Sequence, residues 1–427
     1  MKNNKGIALI ATFFVICILL IFLGAFLSTD INQSVTSDIF RRRTKAFYLA
    51  ESGLDQAITW LRSQPSPPVG NHTDPWGGIQ NLGGGTYSVT ITDLGIIAGS
   101  GSVRRYQVTS TGSFRNLNRS VSSYIQVDNY SRYLWFTDRE VFNGTTVWFW
   151  TQDHLNGPTQ TNGHFNIMGN PIFESQARSV DTYIRFFNNG NNINLSQTTN
   201  PPYDSPDFQQ GMFFGVTPTT MPNRAQALRN AAAAGGLSLT GNSTVVLLSD
   251  GTMNVTNPGR EWTNHNMALP ANGTLFVNSG NLTISGTLSG RLTVGANQNV
   301  IIPNNILYAD DPRTNPDSTD VLGIIAEEDV ILTSGAPSDL EIDACIMAMG
   351  TSFYMQNWWI GPPKGTLTVF GGIIQDERGP VGTFNISTGQ KVSGYSKDYE
   401  YDQRLLGSPP PFMPTTGDYV VLSWEEN

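Results

Sequence analysis

MKNNKGIALIATFFVICILLIFLGAFLSTDINQSVTSDIFRRRTKAFYLAESGLDQAITWLR, residues 1–62, is the stretch that decides the fold of this chain. A short segment with Lys2 and Lys5 precedes residues 7–27, which contain no charged side chain. A helix over that run would be roughly 31 Å long, enough to cross the hydrocarbon core of a bilayer. Apolar residues then continue at steps of three and four to Leu61, so we expect the membrane-length helix to run directly into an amphipathic one. A secretory signal peptide differs, because its short apolar core ends at a cleavage site.

The chain after this helix has the pattern of antiparallel strands. A proline-rich segment at residues 65–68 ends the helix, because proline lacks the backbone N–H that a helix needs. Apolar and polar residues then alternate in three stretches, 87–92, 106–108 and 121–127. We therefore predict a small antiparallel sheet over residues 86–127 that covers the apolar face of residues 46–61.

From about residue 130 the chain has many short apolar runs separated by Gly, Asn and Asp. In the clearest run, residues 282–294, the large apolar residues all occupy even positions. Many short strands with frequent turns are typical of a sandwich, a barrel or a β-solenoid. We favour a β-solenoid over roughly residues 150–390, because the runs are brief and do not pair as hairpins. A helix is expected near residues 224–234, where Ala is abundant.

These patterns predict an α+β protein, with the long helix first, a small antiparallel sheet next and a large all-β region last. The predicted parts are a leader at 1–6, a transmembrane and amphipathic helix at 7–62, a small β head at 63–129 and a β-rich distal region with a C-terminal cap at 130–427.

Composition limits the classes of partner and fold. The formal net charge is −9, so nucleic acid is not an expected partner. Only 14% of residues are charged and 43 are Gly, which favours a β-rich extracytoplasmic protein with many turns over a helical enzyme. Cys17 lies in the apolar run and Cys345 far downstream, so we predict no intramolecular disulfide.

Two short motifs together resemble type IV prepilins and pseudopilins. The basic segment ends at Gly6, and residues 46–57, AFYLAESGLDQA, are similar to the segment that follows the membrane helix in PilX-type proteins. The resemblance implies cleavage between Gly6 and Ile7 by a prepilin peptidase. It also implies that the start of the helix lies in the bilayer before assembly and in the filament core afterwards. The residues concerned are Leu9, Ile10, Ala11, Phe13 and Phe14.

Ala11 distinguishes this chain from major pilins, which carry Glu at the fifth mature position. The resemblance is therefore to a minor pilin, or to the tip pseudopilin of type II secretion. It implies a non-catalytic subunit, low in copy or located at a tip, that displays its β-rich region for assembly priming or adhesion. The implied partners are other pilins, the prepilin peptidase, an inner-membrane assembly platform and the lipid bilayer.

The implied location is the inner membrane, in a single pass with the N-terminus inside, and then the cell surface or a pilus or pseudopilus. Residues 153–171 and 394–411 resemble a domain of unknown function that occurs behind PilX-type helices. Two alternatives stay open at this stage. One is a membrane-anchored β-helix enzyme acting on polysaccharide, and the other is a surface-anchored structural protein.

The sequence offers no catalytic or cofactor motif, and we expect neither catalysis nor a cofactor. Its four histidines lack metal-ligand spacing. Asp153 and His154 are adjacent, so on a strand they would point to opposite faces and could not act as an acid–base pair. Glu341 and Asp343 would share a strand face, as a polysaccharide-active enzyme requires, but no partner base is evident.

One acidic loop is a weak calcium candidate. It contains Asp310, Asp311, Asp317 and Asp320, and Ca²⁺ takes six to eight oxygen ligands. The spacing does not match an EF-hand, and a solvated acidic loop is the commoner explanation.

Aromatic residues suggest a ligand platform. Trp148 and Trp150 would share one face of a strand. With Trp358 and Trp359 they could stack on sugars if exposed. Packing in the core is the alternative, since large aromatic side chains bury well.

Overall fold

The first element is one long, unbroken helix. The structure, a computed structural model, describes residues 5–385 and 390–426, so most of the predicted leader lies outside the described residues. Helix α1 is Lys5–Ser63, and within the described residues it is the one helix long and apolar enough to cross a membrane. A second helix, α2, is Gln226–Gly235, close to the predicted residues 224–234. The predicted α+β class, with an apolar N-terminal helix ahead of a large β-rich region, is confirmed.

The strands are numbered in chain order. Strands β1–β5 are His72–Thr73, Gln80–Leu82, Gly85–Ile96, Arg104–Phe114 and Leu117–Asn129. Strands β6–β18 are Trp135–Arg139, Val141–Phe142, Thr145–Thr146, Phe149–Trp150, His154–Asn156, Thr159–Thr161, Asn166–Met168, Ile172–Phe173, Ala177–Ser179, Ile184–Phe186, Ile193–Leu195, Asp207–Phe208 and Met212–Phe214. Strands β19–β34 are Leu237–Thr240, Ser243–Leu247, Thr252–Asn257, Trp262–Ala268, Thr274–Asn278, Leu282–Leu288, Arg291–Ala296, Val300–Ile302, Ile306–Tyr308, Val321–Ala326, Val330–Leu332, Leu340–Ala348, Phe353–Met355, Pro363–Glu377, Gly382–Phe384 and Lys391–Tyr401. The last strand, β35, is Thr415–Glu426.

The second half of α1 packs on a small sheet with strand order β1-β3-β4-β5-β35. The buried face of the helix recurs every three to four residues, at Ala46, Ala50, Leu54, Ala57 and Leu61. Strand β4 supplies alternating buried residues beneath it, as expected for a sheet with one face on the core. The periodicity of the helix and the alternation of β4 therefore share one cause, which is burial of a single face.

Glycines allow the helix and this sheet to approach closely. A Cβ on Gly112 would collide with the backbone of Ala46 and Ala50. A Cβ on Gly53 would collide with the hydroxyl of Ser110. Both positions are therefore specified by close backbone approach rather than by turn geometry.

The chain divides into two compact units. The first contains the chain up to Gly95, Arg105–Gln126 and the chain from Tyr419 onward, and the second contains Ile96–Arg104 and Val127–Asp418. The chain from Tyr419 onward belongs to the first unit because β35 returns to the edge of the small sheet beside β5. The sequence pattern of β35 does not indicate this pairing, since most of its side chains are not buried.

The second unit is built mainly from parallel strands stacked in register. Its longest ladder has the order β19-β23-β25-β28-β30-β32-β6-β11-β14-β18, and every pair in it is parallel. One aligned column of residues runs along this ladder: Leu237, Leu275, Val294, Ile324, Ile346, Ile373, Trp135, Thr159, Ala177 and Met212. Parallel strands buried in this way require apolar residues at matching positions, which explains the recurrent Val, Ile and Leu.

Two further parallel ladders complete this unit. One joins β20, β24, β26, β29 and β31. The other joins β27, β30, β32, β34, β10, β13 and β17. In two of these ladders a strand from early in the chain pairs with a strand from late in the chain. Strand β6 pairs with β32 in the first ladder, and β10 pairs with β34 in the last. Strand β6 thus lies between β32 and β11, and one apolar core extends through the stack.

Candidate functional site

An aromatic cavity of about 430 Å³ lies in the second unit. Its walls come from residues 142–150, Trp358 with Trp359, and residues 379–384, with Met168 and Lys397. This volume falls within the range of roughly 300–1,000 Å³ that is usual for small-molecule sites. The predicted platform residues Trp148 and Trp150 line it, as do Trp358 and Trp359.

Strand β9 sends its two side chains to opposite sides. Phe149 is buried in the core, whereas Trp150 is half-buried and faces the cavity. The alternation of a strand explains this difference between neighbours. The indole of Trp150 stacks on the ring of Phe384, with centroids 6.1 Å apart and an interplanar angle of 21°. Trp148 contacts Phe187 edge-on at 5.5 Å.

Another part of the wall comes from the turn after β31. Trp358 and Trp359 meet at nearly right angles, with centroids 5.5 Å apart. Trp358 also lies 6.4 Å from the ring of Phe142. Trp359 is 56% exposed. Sequence reasoning did not select Phe142 or Phe384, because their approach depends on the stacking of distant strands.

The cavity contains few polar groups. The indole Nε1 of Trp150 is buried and has no hydrogen-bond partner among the described residues. Lys397 is the one charged side chain in the lining that the structure describes. Its Nζ lies 3.0 and 3.1 Å from the two carboxylate oxygens of Asp153, so its charge is already paired. Burial lowers the pKa of Lys397, against the attraction of Asp153.

A buried group of four charges lies behind this wall. Arg378 is 1% exposed and reaches both Asp153 at 3.2 Å and Glu140 at 3.3 Å. Its guanidinium carbon lies 3.5 Å from the centroid of Phe149. With Lys397, the group contains two cations and two anions. Buried charges need such pairing, since an isolated one would cost several kcal/mol.

Asp153 and His154 diverge, as their adjacency predicts. The carboxylate of Asp153 points into the buried charge group, whereas His154 lies at the surface with Nε2 2.6 Å from Glu174. The two side chains therefore do not form an acid–base pair.

Carboxylates of the acidic loop accept hydrogen bonds from groups of the protein itself. Asp310 accepts from the side-chain amide of Asn315, and Asp311 accepts from Arg313 at 2.9 Å. Asp320 is buried and accepts from two backbone N–H groups, whereas Asp317 is exposed. Among the residues that the structure describes, no group of three or more His, Cys, Asp or Glu could hold a metal. Calcium at this loop stays a prediction of the sequence alone.

Glu341 and Asp343 do lie close together, joined by an arginine. Nη2 of Arg313 is 2.7 Å from Glu341 and 3.3 Å from Asp343. Burial raises the pKa of Asp343 to about 7, outweighing the backbone N–H of Tyr308 and the charge of Arg313. The side chain of Asp343 is 1% exposed and is covered by Arg313, so it is not accessible to a polymer substrate.

The predicted membrane and filament residues all lie in the first half of α1 with exposed side chains. They are Ile7, Leu9, Ile10, Ala11, Phe13 and Phe14. Ile7 is 70% exposed and Leu9 is 75% exposed. Gly6 is within the helix. Two hydroxyls in this half, of Thr12 and Thr29, donate to carbonyls one turn earlier, so they present no unpaired donor.

Comparisons with known proteins find one family model and a pilin among solved structures. A domain of unknown function (DUF4900) matches residues 96–181. No curated protein matches the chain. Among solved structures, the competence-associated pilin ComZ from Thermus thermophilus aligns with 12% identity and a TM-score of 0.32, over 90% of this chain and 97% of that one.

Proposed function

We propose that this chain is a non-catalytic, low-copy subunit of a type IV filament, a minor pilin or pseudopilin. The observation that carries the proposal is the unbroken helix α1, which is apolar and exposed in its first half and packed on a small sheet in its second. We propose further that a prepilin peptidase cuts between Gly6 and Ile7, where the basic segment meets the apolar run.

The exposed apolar half of the helix must be buried against a bilayer or another protein. Large apolar side chains from Ile7 to Phe40 are mostly exposed, far beyond the patch that a soluble monomer tolerates. A bilayer covers such a helix before assembly, and the helices of neighbouring subunits cover it afterwards. The change of surroundings requires that no polar group be left unpaired, and the self-bonded hydroxyls of Thr12 and Thr29 meet that need.

A charged cluster marks where the apolar half ends. Arg41 and Arg42 both pair with Asp38, and from Ala46 onward the helix turns one face to the sheet. We infer that residues near this cluster lie outside the bilayer, at the level of headgroups or of acidic surfaces on neighbouring pilins.

Ala11 and the size of the β-rich region support a special place in the filament. Without a carboxylate at residue 11, the subunit cannot pair with the terminal amine of a neighbour as major pilins do. A β-rich region of nearly 300 residues would sterically oppose stacking in every subunit. Both features fit a low-copy subunit at a tip, where adhesion or assembly priming is the proposed task.

We also propose that the distal region is a β-solenoid. Three parallel ladders in register, short strands and a common apolar core support this. The rigid stack would hold the aromatic cavity at a fixed place on a displayed domain.

The test is the presence of the full chain in sheared surface filaments. We would express the wild type, Leu19→Lys and Gln33→Lys at equal levels in cells that assemble type IV filaments. Leu19 lies in the apolar run, where a lysine costs about 3 kcal/mol in an apolar environment. Gln33 is exposed on the same helix beyond that run and serves as the matched control.

We expect wild type and Gln33→Lys in the filament fraction, and Leu19→Lys retained in the membrane or lost from filaments. Wild type found in the membrane but never in filaments, in cells that do make filaments, would contradict the proposal.

A further inference from the structure

We propose that the aromatic cavity binds a neutral pyranose sugar, as presented by a surface glycan. The inference rests on the proposed function only in that a filament subunit would display this region outside the cell. It names the chemistry of the ligand from three features of the cavity: its aromatic walls, its lack of free charge and the polar side chains on its rim.

The walls offer several flat apolar ring faces. Trp150 and Phe384 form one stacked pair, and Trp358 and Trp359 form a second pair with their rings nearly at right angles. A pyranose ring presents C–H groups on both of its faces, and such groups pack well on indole rings. Trp359 is more than half exposed, so one wall is reachable from solvent without any rearrangement.

The lining disfavours charged ligands. Lys397 is the one charged residue in the described lining, and Asp153 holds its ammonium with two contacts at 3.0 and 3.1 Å. A ligand anion would have to compete with that carboxylate, and a ligand cation would meet no free carboxylate. Burying an unpaired charge here would be costly, so a neutral ligand fits.

Polar groups on the rim favour a ligand that carries hydroxyls. Asn143, Thr145 and Thr146 line the cavity and provide amide and hydroxyl groups beside the aromatic rings. A ligand with hydroxyl groups would exchange hydrogen bonds with them. Apolar ring faces together with hydroxyls on the same molecule describe a sugar.

The test is direct binding by the full-length protein in a polyoxyethylene detergent, because alkyl glycoside detergents would present sugars themselves. The probes are methyl glycosides of glucose, galactose, mannose and N-acetylglucosamine with their β-linked and α-linked disaccharides. Affinity would be measured by isothermal titration and by the change in tryptophan fluorescence. We expect at least one of these neutral sugars to bind, and to bind more tightly as a disaccharide.

Two variants and one control distinguish loss of the binding site from loss of the fold. Trp150→Ala removes one ring of the wall, and we expect roughly tenfold weaker binding. Trp359→Ala removes one exposed wall, and we expect a loss of tenfold or more. Trp262→Phe serves as the control, since Trp262 lies outside the cavity and packs on His265. It should leave affinity unchanged.

Two results would overturn the inference. One is the absence of binding for every sugar in the panel by a protein whose fold, judged by near-ultraviolet circular dichroism, is intact. The other is binding to an apolar peptide or dye that no sugar displaces. Both are independent of filament assembly, because sugar binding is measured on the isolated chain and incorporation into filaments is measured in cells.

Discussion

Nζ of Lys397 lies 3.0 Å from Oδ1 of Asp153, although 244 positions separate the two residues in the chain. Strand β34, which carries Lys397, is parallel to β10, which begins directly after Asp153. The pair therefore forms where an early segment of the distal region stacks against a late one. Arg378 shares the same carboxylate at 3.2 Å, so one side chain balances two buried cations.

Removing the charge of Asp153 should destabilise this junction strongly. Asp153→Asn would leave two buried cations facing Glu140 alone, and we expect a loss of about 3–5 kcal/mol in the free energy of unfolding. Urea unfolding of the full chain, followed by tryptophan fluorescence, would measure it as a lower midpoint. Glu174→Gln is the control, since Glu174 pairs with His154 at the surface and should change stability by less than about 0.5 kcal/mol. Equal midpoints for Asp153→Asn and wild type would refute this account of the charge group.

A methyl group between helix α1 and its sheet should separate them. Gly112→Ala would place a Cβ against the backbone of Ala46 and Ala50, and overpacking of this kind costs about 1–3 kcal/mol. The expected result is a lower thermal midpoint and faster proteolysis after residue 45. Gly407→Ala is matched to it, because Gly407 has an ordinary φ of −98° and no atom of the described chain lies near a Cβ there. Both variants behaving as wild type would mean that the helix does not pack on β4 as described.

Asp343 should make stability depend on pH. Its pKa is raised from 3.8 to about 7 in the folded chain, so the folded state keeps a proton that the unfolded state releases. The free energy of unfolding contributed by this group is therefore highest below about pH 4 and falls as the pH rises to about 7. Asp343→Asn removes the ionisation but keeps an acceptor for the N–H of Tyr308.

The measurement is the thermal midpoint of both proteins at several pH values from about 4 to about 8. Relative to wild type, Asp343→Asn should gain stability as the pH rises across this range, on the order of 4 kcal/mol. Asp317→Asn, an exposed carboxylate in the neighbouring loop, should track wild type. A constant difference between Asp343→Asn and wild type at all pH values would show that Asp343 does not titrate in this interval.

Local periodicity is why the helix and the small sheet could be predicted. The pattern of residues 7–62 gave helix α1, observed as Lys5–Ser63, because one face is apolar along its whole length. The alternation at 121–127 predicts β5, in which Val121, Ile125 and Val127 are apolar, lie on one face and are buried. Each of these signals lies within a single segment of the chain.

The order of the ladders could not be predicted, because it depends on contacts between distant segments. Nothing near Trp135 indicates that its neighbour is Ile373. The cavity could be predicted only in part for the same reason. The spacing of Trp148 and Trp150 places them on one strand face, but Phe384 reaches Trp150 only because β33 pairs with β34. The return of β35 to the small sheet was missed because its side chains are largely exposed and carry no clear pattern.

The central claim is that this chain is processed and assembled as a filament subunit. Intact mass and N-terminal sequencing of the protein, from cells with and without a prepilin peptidase, test it most directly. The account predicts a chain that begins at Ile7 when the peptidase is present and retains Gly6 and the residues before it when the peptidase is absent. Retention of those residues in both strains would contradict the account and leave a membrane-anchored surface protein.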